Sequence, residues 1–184
     1  MLKIVAVVGS PTFHSRTRNL VTEIQERIVS ETGAQARLVD IAELVPNLMV
    51  RSREETSPVL EEALRAVEQA DLLLIGTPVY KGSYTGLFKH FVDLIDYKSL
   101  AGVPVALLAT GGSDRHALVI DHQLRPLFGF FNAQTLPTGV FVSERSYAGG
   151  CINDPVLQNR ISTFVCESVN AVKLRAAIRG LQAA

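Results

Sequence analysis

The stretch DLLLIGTPVYKGSYTGLFKHFVDLI, residues 71–95, decides how this chain folds. Its opening run, Asp71–Ile75, is apolar from Leu72 onward, as a strand reads when helices cover both faces of a parallel sheet. A turn through Thr77 and Pro78 ends the run. Leu87, Phe88, Phe91, Val92 and Ile95 then recur at helical spacing. Strand, polar loop and helix follow one another directly, so the segment is a β-α unit.

The same unit repeats outward in both directions. Upstream, Lys3–Val8 (KIVAVV) predicts a first strand, and Leu20, Ile24 and Ile28 predict a helix after it. Ala36–Val39 (ARLV) predicts the second strand. Leu60, Ala63, Leu64 and Val67 predict the next helix, entered through Ser57 as N-cap and Pro58 at its first position. Downstream, Val103–Ala109 (VPVALLA) predicts a fourth strand. A fifth short strand falls within Ala133–Leu136, with Gly139–Val142 extending or following it. A last helix runs from about Asp154 to about Arg179. Five β-α repeats predict an α/β fold: an open five-stranded parallel sheet with helices on both faces, residues 1–184 forming a single domain.

Two predicted helices are apolar nearly all round. Segment 115–131 carries Leu118, Val119, Ile120, Leu124, Leu127, Phe128, Phe130 and Phe131, and segment 84–96 is similar. Such helices need cover on several sides. A homo-oligomer, dimer or tetramer, is the expectation; cover by the chain's own C-terminal segment is the other possibility.

Composition removes several function classes. Lys plus Arg number 18 and Asp plus Glu number 18, with no long basic run, which speaks against nucleic acid. No apolar run approaches the roughly 20 residues that span a bilayer, and the N-terminus lacks a leader pattern. The expectation is a cytoplasmic protein with no membrane partner. Cys151 and Cys166 read as free thiols, Cys166 as a small hydrophobe on the last helix. His14, His90, His116 and His122 form no metal-ligand pattern, so no metal is expected. G-x-S-x-G, the P-loop and G-x-G-x-x-G are all absent, and no paired carboxylates stand at the strand ends.

In open α/β sheets ligands bind beyond the carboxyl ends of the strands. Three loops there are rich in Gly, Ser and Thr. The first, Gly9–Arg18, enters a helix near Arg16. A helix N-terminus attracts phosphate, and Ser10, Ser15, Thr17 and Arg16 add hydroxyls and charge. Simple N-capping by Ser15 accounts for the same residues equally well. The second, Thr77–Gly86, offers backbone at 79–82 to a flat ring, with Tyr80 as an apolar wall; ordinary packing of Tyr80 and a solvated Lys81 is the plainer alternative. The third, Thr110-Gly111-Gly112-Ser113, permits close backbone approach or a tight turn only.

Together, VVGSPTFHSRTRNL, DLLLIGTPVYKGSYTGLFKHFVDLI and LLATGGSDRHALVIDHQLRPLF resemble the NAD(P)H-dependent FMN reductases of flavodoxin-like fold. Within them the chain is most similar to flavin reductases that serve two-component alkanesulfonate and methanesulfonate monooxygenases, above all the methanesulfonate type. The resemblance implies FMN and NADPH or NADH as cofactors, hydride transfer to the flavin, and release of reduced FMN to an FMNH2-dependent monooxygenase. It implies that Ser10, Ser15, Arg16 and Thr17 hold the FMN phosphate. Pro78, Val79, Tyr80 and Lys81 would line the isoalloxazine, and Thr110, Gly111, Gly112 and Ser113 would face its pyrimidine edge. It implies a π-type bulge after ATGG, where His122 stands in place of a tyrosine near the flavin. No residue is an obligatory acid or base. For the donor's 2′-phosphate, Arg18, Lys81 and Arg115 are unranked candidates. Rival readings are an FMN-bound quinone, azo or chromate reductase, a flavodoxin-like electron carrier, and a flavin-free structural domain.

Overall fold

The fold is taken from a computed structural model, which describes residues 1–148 and 151–182. The strands of its main sheet are β1 (Lys3–Val8), β2 (Gln35–Asp40), β3 (Leu72–Pro78), β4 (Pro104–Gly111), β5 (Gln134–Thr135) and β6 (Val140–Ser143), and a separate antiparallel pair joins β7 (Tyr147–Ala148) to β8 (Cys151–Ile152). The main sheet is parallel, in the order β2-β1-β3-β4, with β5 and β6 both paired to β4. The order reverses between β1 and β3, the switch point where ligands collect in such sheets. β1, β3 and β4 bury nearly every residue, which is why their sequences run apolar without alternation.

The fifth strand position is filled in two pieces. β5 pairs with Pro104 and Val105, β6 with Leu108–Gly111. Pro137 lies in the gap and has no N–H to give the ladder. The carbonyls of the gap are taken by side chains instead. Arg125 donates to the Leu136 carbonyl at 2.7 Å and to Pro137 at 2.6 Å, and Arg160 donates to Gly139 at 2.6 Å.

Helices α1 (Arg16–Thr32) and α6 (Pro155–Gln182) pack side by side on one face of the sheet. Helices α3 (Pro58–Glu68), α4 (Gly86–Asp93) and α5 (Arg125–Gly129) cover the other, beyond the single-turn α2 (Ile41–Leu44). Helix α6 buries Leu157, Ile161, Phe164, Val165, Val169 and Val172. Cys166 falls off that stripe and is exposed, so its reading as a core residue is corrected. Both thiols are free and exposed.

Helix α6 packs beside α1 on the face opposite the 84–96 segment, while its start, Val156, Leu157 and Arg160, faces Leu118 and Ile120 of the 115–131 segment across a cavity. In segment 84–96 the apolar residues are already at least half-buried, with Phe88 and Phe91 fully so. Segment 115–131 differs in two respects from one apolar helix. It breaks into a 3-10 turn (Asp114–His116), a π-helical turn (Ile120–Leu124) and α5. In the π turn the Arg125 amide bonds the Ile120 carbonyl five residues back, and Pro126, which has no amide to donate, follows directly. Within the segment Leu124 and Phe128 are buried, whereas Leu118 is 61% and Phe130 72% exposed.

Candidate functional site

The carboxyl ends of β1, β3 and β4 carry the three polar loops, and hydrogen bonds knit these loops together. Thr85 caps α4 by accepting from the Phe88 amide, and its hydroxyl donates to the Gly9 carbonyl at 2.7 Å. The Val79 amide donates to the Thr110 carbonyl at 2.7 Å. Thr17, buried in the first turn of α1, shares a 2.7 Å hydroxyl–hydroxyl bond with Thr110. One short polar residue per loop thus ties each loop to a neighbour.

Between them lies a cavity of about 350 Å³. Of the residues expected there, Ser10, Ser15, Arg16, Thr17, Pro78, Val79, Tyr80, Thr110, Gly111 and Gly112 line it. Lys81, Ser113 and His122 do not. Lys81 and Gly82 are the two central residues of a tight hairpin closed by paired Tyr80–Ser83 hydrogen bonds, both with positive φ. The Lys81 side chain is therefore carried outward and exposed. Ser113 caps the 3-10 turn by accepting from the Arg115 amide. His122 lies on the π turn with its side chain exposed.

An α-helix leaves its first amides without an intrahelical acceptor. In α1 the Arg18 amide is taken by Ser15 Oγ at 3.1 Å, while Arg16 and Thr17 are among the residues lining the cavity. Ser10 is buried and turns its hydroxyl onto Thr12. The two glycines of the third loop differ. A Cβ on Gly111 would lie 2.9 Å from the Phe141 ring, so packing requires that glycine. A Cβ on Gly112 would meet nothing closer than Glu144 Cδ at 4.0 Å, so the space beside it is open.

Residues outside the expected set also line the cavity: Thr12, His14, Val142, Ser143, Glu144 and Tyr147. His14 adopts φ 55°, a left-handed conformation that shapes the loop just before the N-cap. Ser143 and Glu144 stand where β6 ends, beside Gly111 and Gly112. Burial pushes the Tyr147 hydroxyl up from its ordinary value. The end of the fifth strand obeys the same carboxyl-end rule as the others, and the residues just past the predicted Gly139–Val142 piece therefore reach the cavity.

Charge around the cavity is sparse and paired. Arg16 bonds Glu144 across the mouth, both about half exposed. Arg18 turns away and bonds Asp40 at 2.5 Å and Glu43 at 3.0 Å. The Glu43 hydrogen bond, aided by Asp40, raises the Arg18 guanidinium above its ordinary value. Burial pushes the Asp40 carboxyl up, against the pull of the Ala42 amide and Arg18. Arg18 is thereby committed to those carboxylates, unlike Lys81 and Arg115. Among the described residues no group of three His, Cys, Asp or Glu is placed to hold a metal, and no helix is long and apolar enough to cross a membrane.

A larger cleft of about 940 Å³ lies away from these loops, lined by α3, the end of α4, Tyr97 and Phe130. Its central charge is Arg53, held by Glu61, Glu68 and the Leu94 carbonyl. The Arg53 guanidinium, with Arg65, holds the Glu61 carboxyl down to about 2. Size alone does not mark a site: this cleft's charges are already satisfied by one another.

Strand order, buried parallel strands and a polar cavity at the switch point define a flavodoxin-like α/β protein. Residues 2–148 match the model of the NADPH-dependent FMN reductase family, and the chain belongs to that family. It is 47% identical to the NADH-dependent FMN reductase SfnF of Pseudomonas putida, over 93% of this chain and 92% of that one. It is 43% identical to an FMN reductase (NADPH) of Pseudomonas aeruginosa, over 86% of each. The apo crystal structure of the NADH:FMN oxidoreductase EmoB superposes with a TM-score of 0.81 at 33% identity, covering 91% of this chain and 90% of that one. The chain is an NAD(P)H-dependent FMN reductase with a flavodoxin-like fold.

Proposed function

We propose that the 350 Å³ cavity is the flavin site and that reduced FMN leaves it for an FMNH2-dependent monooxygenase of alkanesulfonate or methanesulfonate metabolism. The observation that carries this is the meeting of the α1 N-terminus with three hydroxyl- and amide-rich loops in one cavity. Its volume falls within the range of roughly 300–1,000 Å³ typical of small-molecule sites. The open space beside Gly112 admits a flat group, and the donor set suits a phosphate monoester joined to a polar heterocycle.

In this reading Ser10, Ser15, Arg16 and Thr17 hold the phosphate, helped by the first α1 amides and the positive end of that helix. Pro78, Val79 and Tyr80 form a wall for the ring, with Lys81 at the turn beyond it. Thr110, Gly111 and Gly112 face the ring's polar edge, with Ser113 at the turn beyond them. His122 stands on the neighbouring π turn. When bound, the flavin supplies the redox chemistry by accepting hydride from NAD(P)H. The chain's own part is orientation: the knitted loops fix the wall and the donor edge before ligand arrives. No carboxylate need give or take a proton at the ring.

The whole chain, 1–184, acts as one cytoplasmic domain. The exposed Leu118 and Phe130 favour a homo-oligomer, dimer or tetramer, which sedimentation would count. Relatives of similar identity are named for NADH and for NADPH, so the donor is left to measurement. The deciding experiment is steady-state oxidation of NADH and NADPH with added FMN, FAD or riboflavin. Turnover that depends on added FMN and leaves a nearly colourless protein supports a flavin supplier. A protein that stays yellow and reduces quinones without exchanging FMN overturns that reading.

A further inference from the structure

The pairing of Arg16 with Glu144 joins residues 128 positions apart in sequence, and it spans the proposed phosphate end of the cavity. Arg16 is the first residue of α1. Glu144 is placed by the register of β6, whose Ser143 pairs with Gly111, so the carboxylate emerges beside Gly112. A carboxylate on the guanidinium at a helix N-terminus occupies, by charge and by hydrogen bonding, the niche that suits a phosphate oxygen. Both side chains are about half exposed, so the pair is weak and opens readily.

We propose that Glu144 is an internal rival for Arg16 that tempers the affinity for the flavin's phosphate monoester and keeps FMN exchangeable. This rests on the reading that the phosphate lies at the start of α1. A phosphate entering the cavity meets a cation already in use and an anion beside it. Each lowers the return from Arg16. Riboflavin carries no phosphate to compete for Arg16, so the rivalry falls on FMN. Glu144 is accordingly a specificity-determining residue that acts through Arg16.

The test is titration of FMN and of riboflavin, followed by flavin fluorescence, against wild type, Glu144→Gln, Arg16→Ala and the double variant. Glu144→Gln should bind FMN about 3- to 10-fold more tightly at low ionic strength, the scale of removing one partly screened charge. Riboflavin affinity should stay within about twofold, the gain should shrink in high salt, and it should be smaller in the Arg16→Ala background. If Arg16→Ala weakens FMN but Glu144→Gln does not tighten it, the rivalry is wrong and the phosphate site stands. Equal tightening of FMN and riboflavin also overturns it. If Arg16→Ala binds FMN like wild type, the phosphate is not at Arg16 and both readings fall.

Discussion

Arg53 and Arg16 each stand in a cleft, and the contrast separates scaffold from proposed site. Arg53 uses all its donors: Nε and one terminal nitrogen on Glu61, both terminal nitrogens on Glu68, and one more bond to the Leu94 carbonyl. Its partners are mostly covered, Glu68 being 15% exposed at its side chain. Arg16 has one carboxylate partner, half exposed, at the edge of a cavity with unfilled space. The larger volume lies with the saturated arginine and the smaller with the unsaturated one. Spare donor capacity, more than volume, distinguishes the proposed ligand site.

Four substitutions break or sharpen this contrast. The largest effect is expected of Arg53→Ala, which leaves Glu61 with Arg65 alone and Glu68 with only the Asp96 amide, and should cost about 2–4 kcal/mol of stability in urea unfolding. Its FMN affinity, measured where the variant is folded, should be unchanged; a parallel loss of affinity would erase the distinction. Arg16→Ala should do the reverse. FMN binding should weaken by about 1–3 kcal/mol with the melting temperature nearly constant. Third comes acid sensitivity. The Glu61 carboxyl is held below its ordinary value, at about 2, so its stabilisation is complete above about pH 4.5 and is lost as pH falls toward 2. Glu61→Gln should therefore flatten the fall of stability over that window, seen by unfolding at several pH values; an unaltered slope would remove Glu61 from the account. The smallest effect belongs to Lys81→Asn. An Asn-Gly pair suits a turn with two positive φ angles better than Lys-Gly, and about 0.5 kcal/mol of added stability should appear in thermal melts.

Much of the fold could be read from residues alone where burial leaves a plain pattern. The buried strands β1, β3 and β4 could be placed to within a few residues because both faces must be apolar. The two pieces of the fifth strand, β5 and β6, fall within Ala133–Leu136 and one residue beyond Gly139–Val142, as expected, although neither is long enough to show a period. By hydrophobic spacing the 115–131 segment reads as one helix, and its π turn was legible only through the family resemblance, which implied a π-type bulge there. Cys166 shows the limit of composition, since one position of rotation separates the buried Val165 from the exposed thiol. At the cavity, the loops after β1, β3 and β4 were legible from the carboxyl-end rule. Ser143, Glu144 and Tyr147 lie just past the predicted Gly139–Val142 piece, within reach of the same rule. Long-range pairing of Arg16 with Glu144 leaves no local trace at all.

The interrupted fifth strand has a further consequence. An outermost strand ordinarily presents a row of backbone groups on which a second polypeptide can template itself. Here that row is two residues, a gap and four residues, and the gap's carbonyls are plugged by guanidinium groups, Arg125 reaching in from one side of the sheet and Arg160 from the other. A neighbouring molecule finds no continuous ladder to extend, so this border resists edge-to-edge polymerisation even when the protein is crowded.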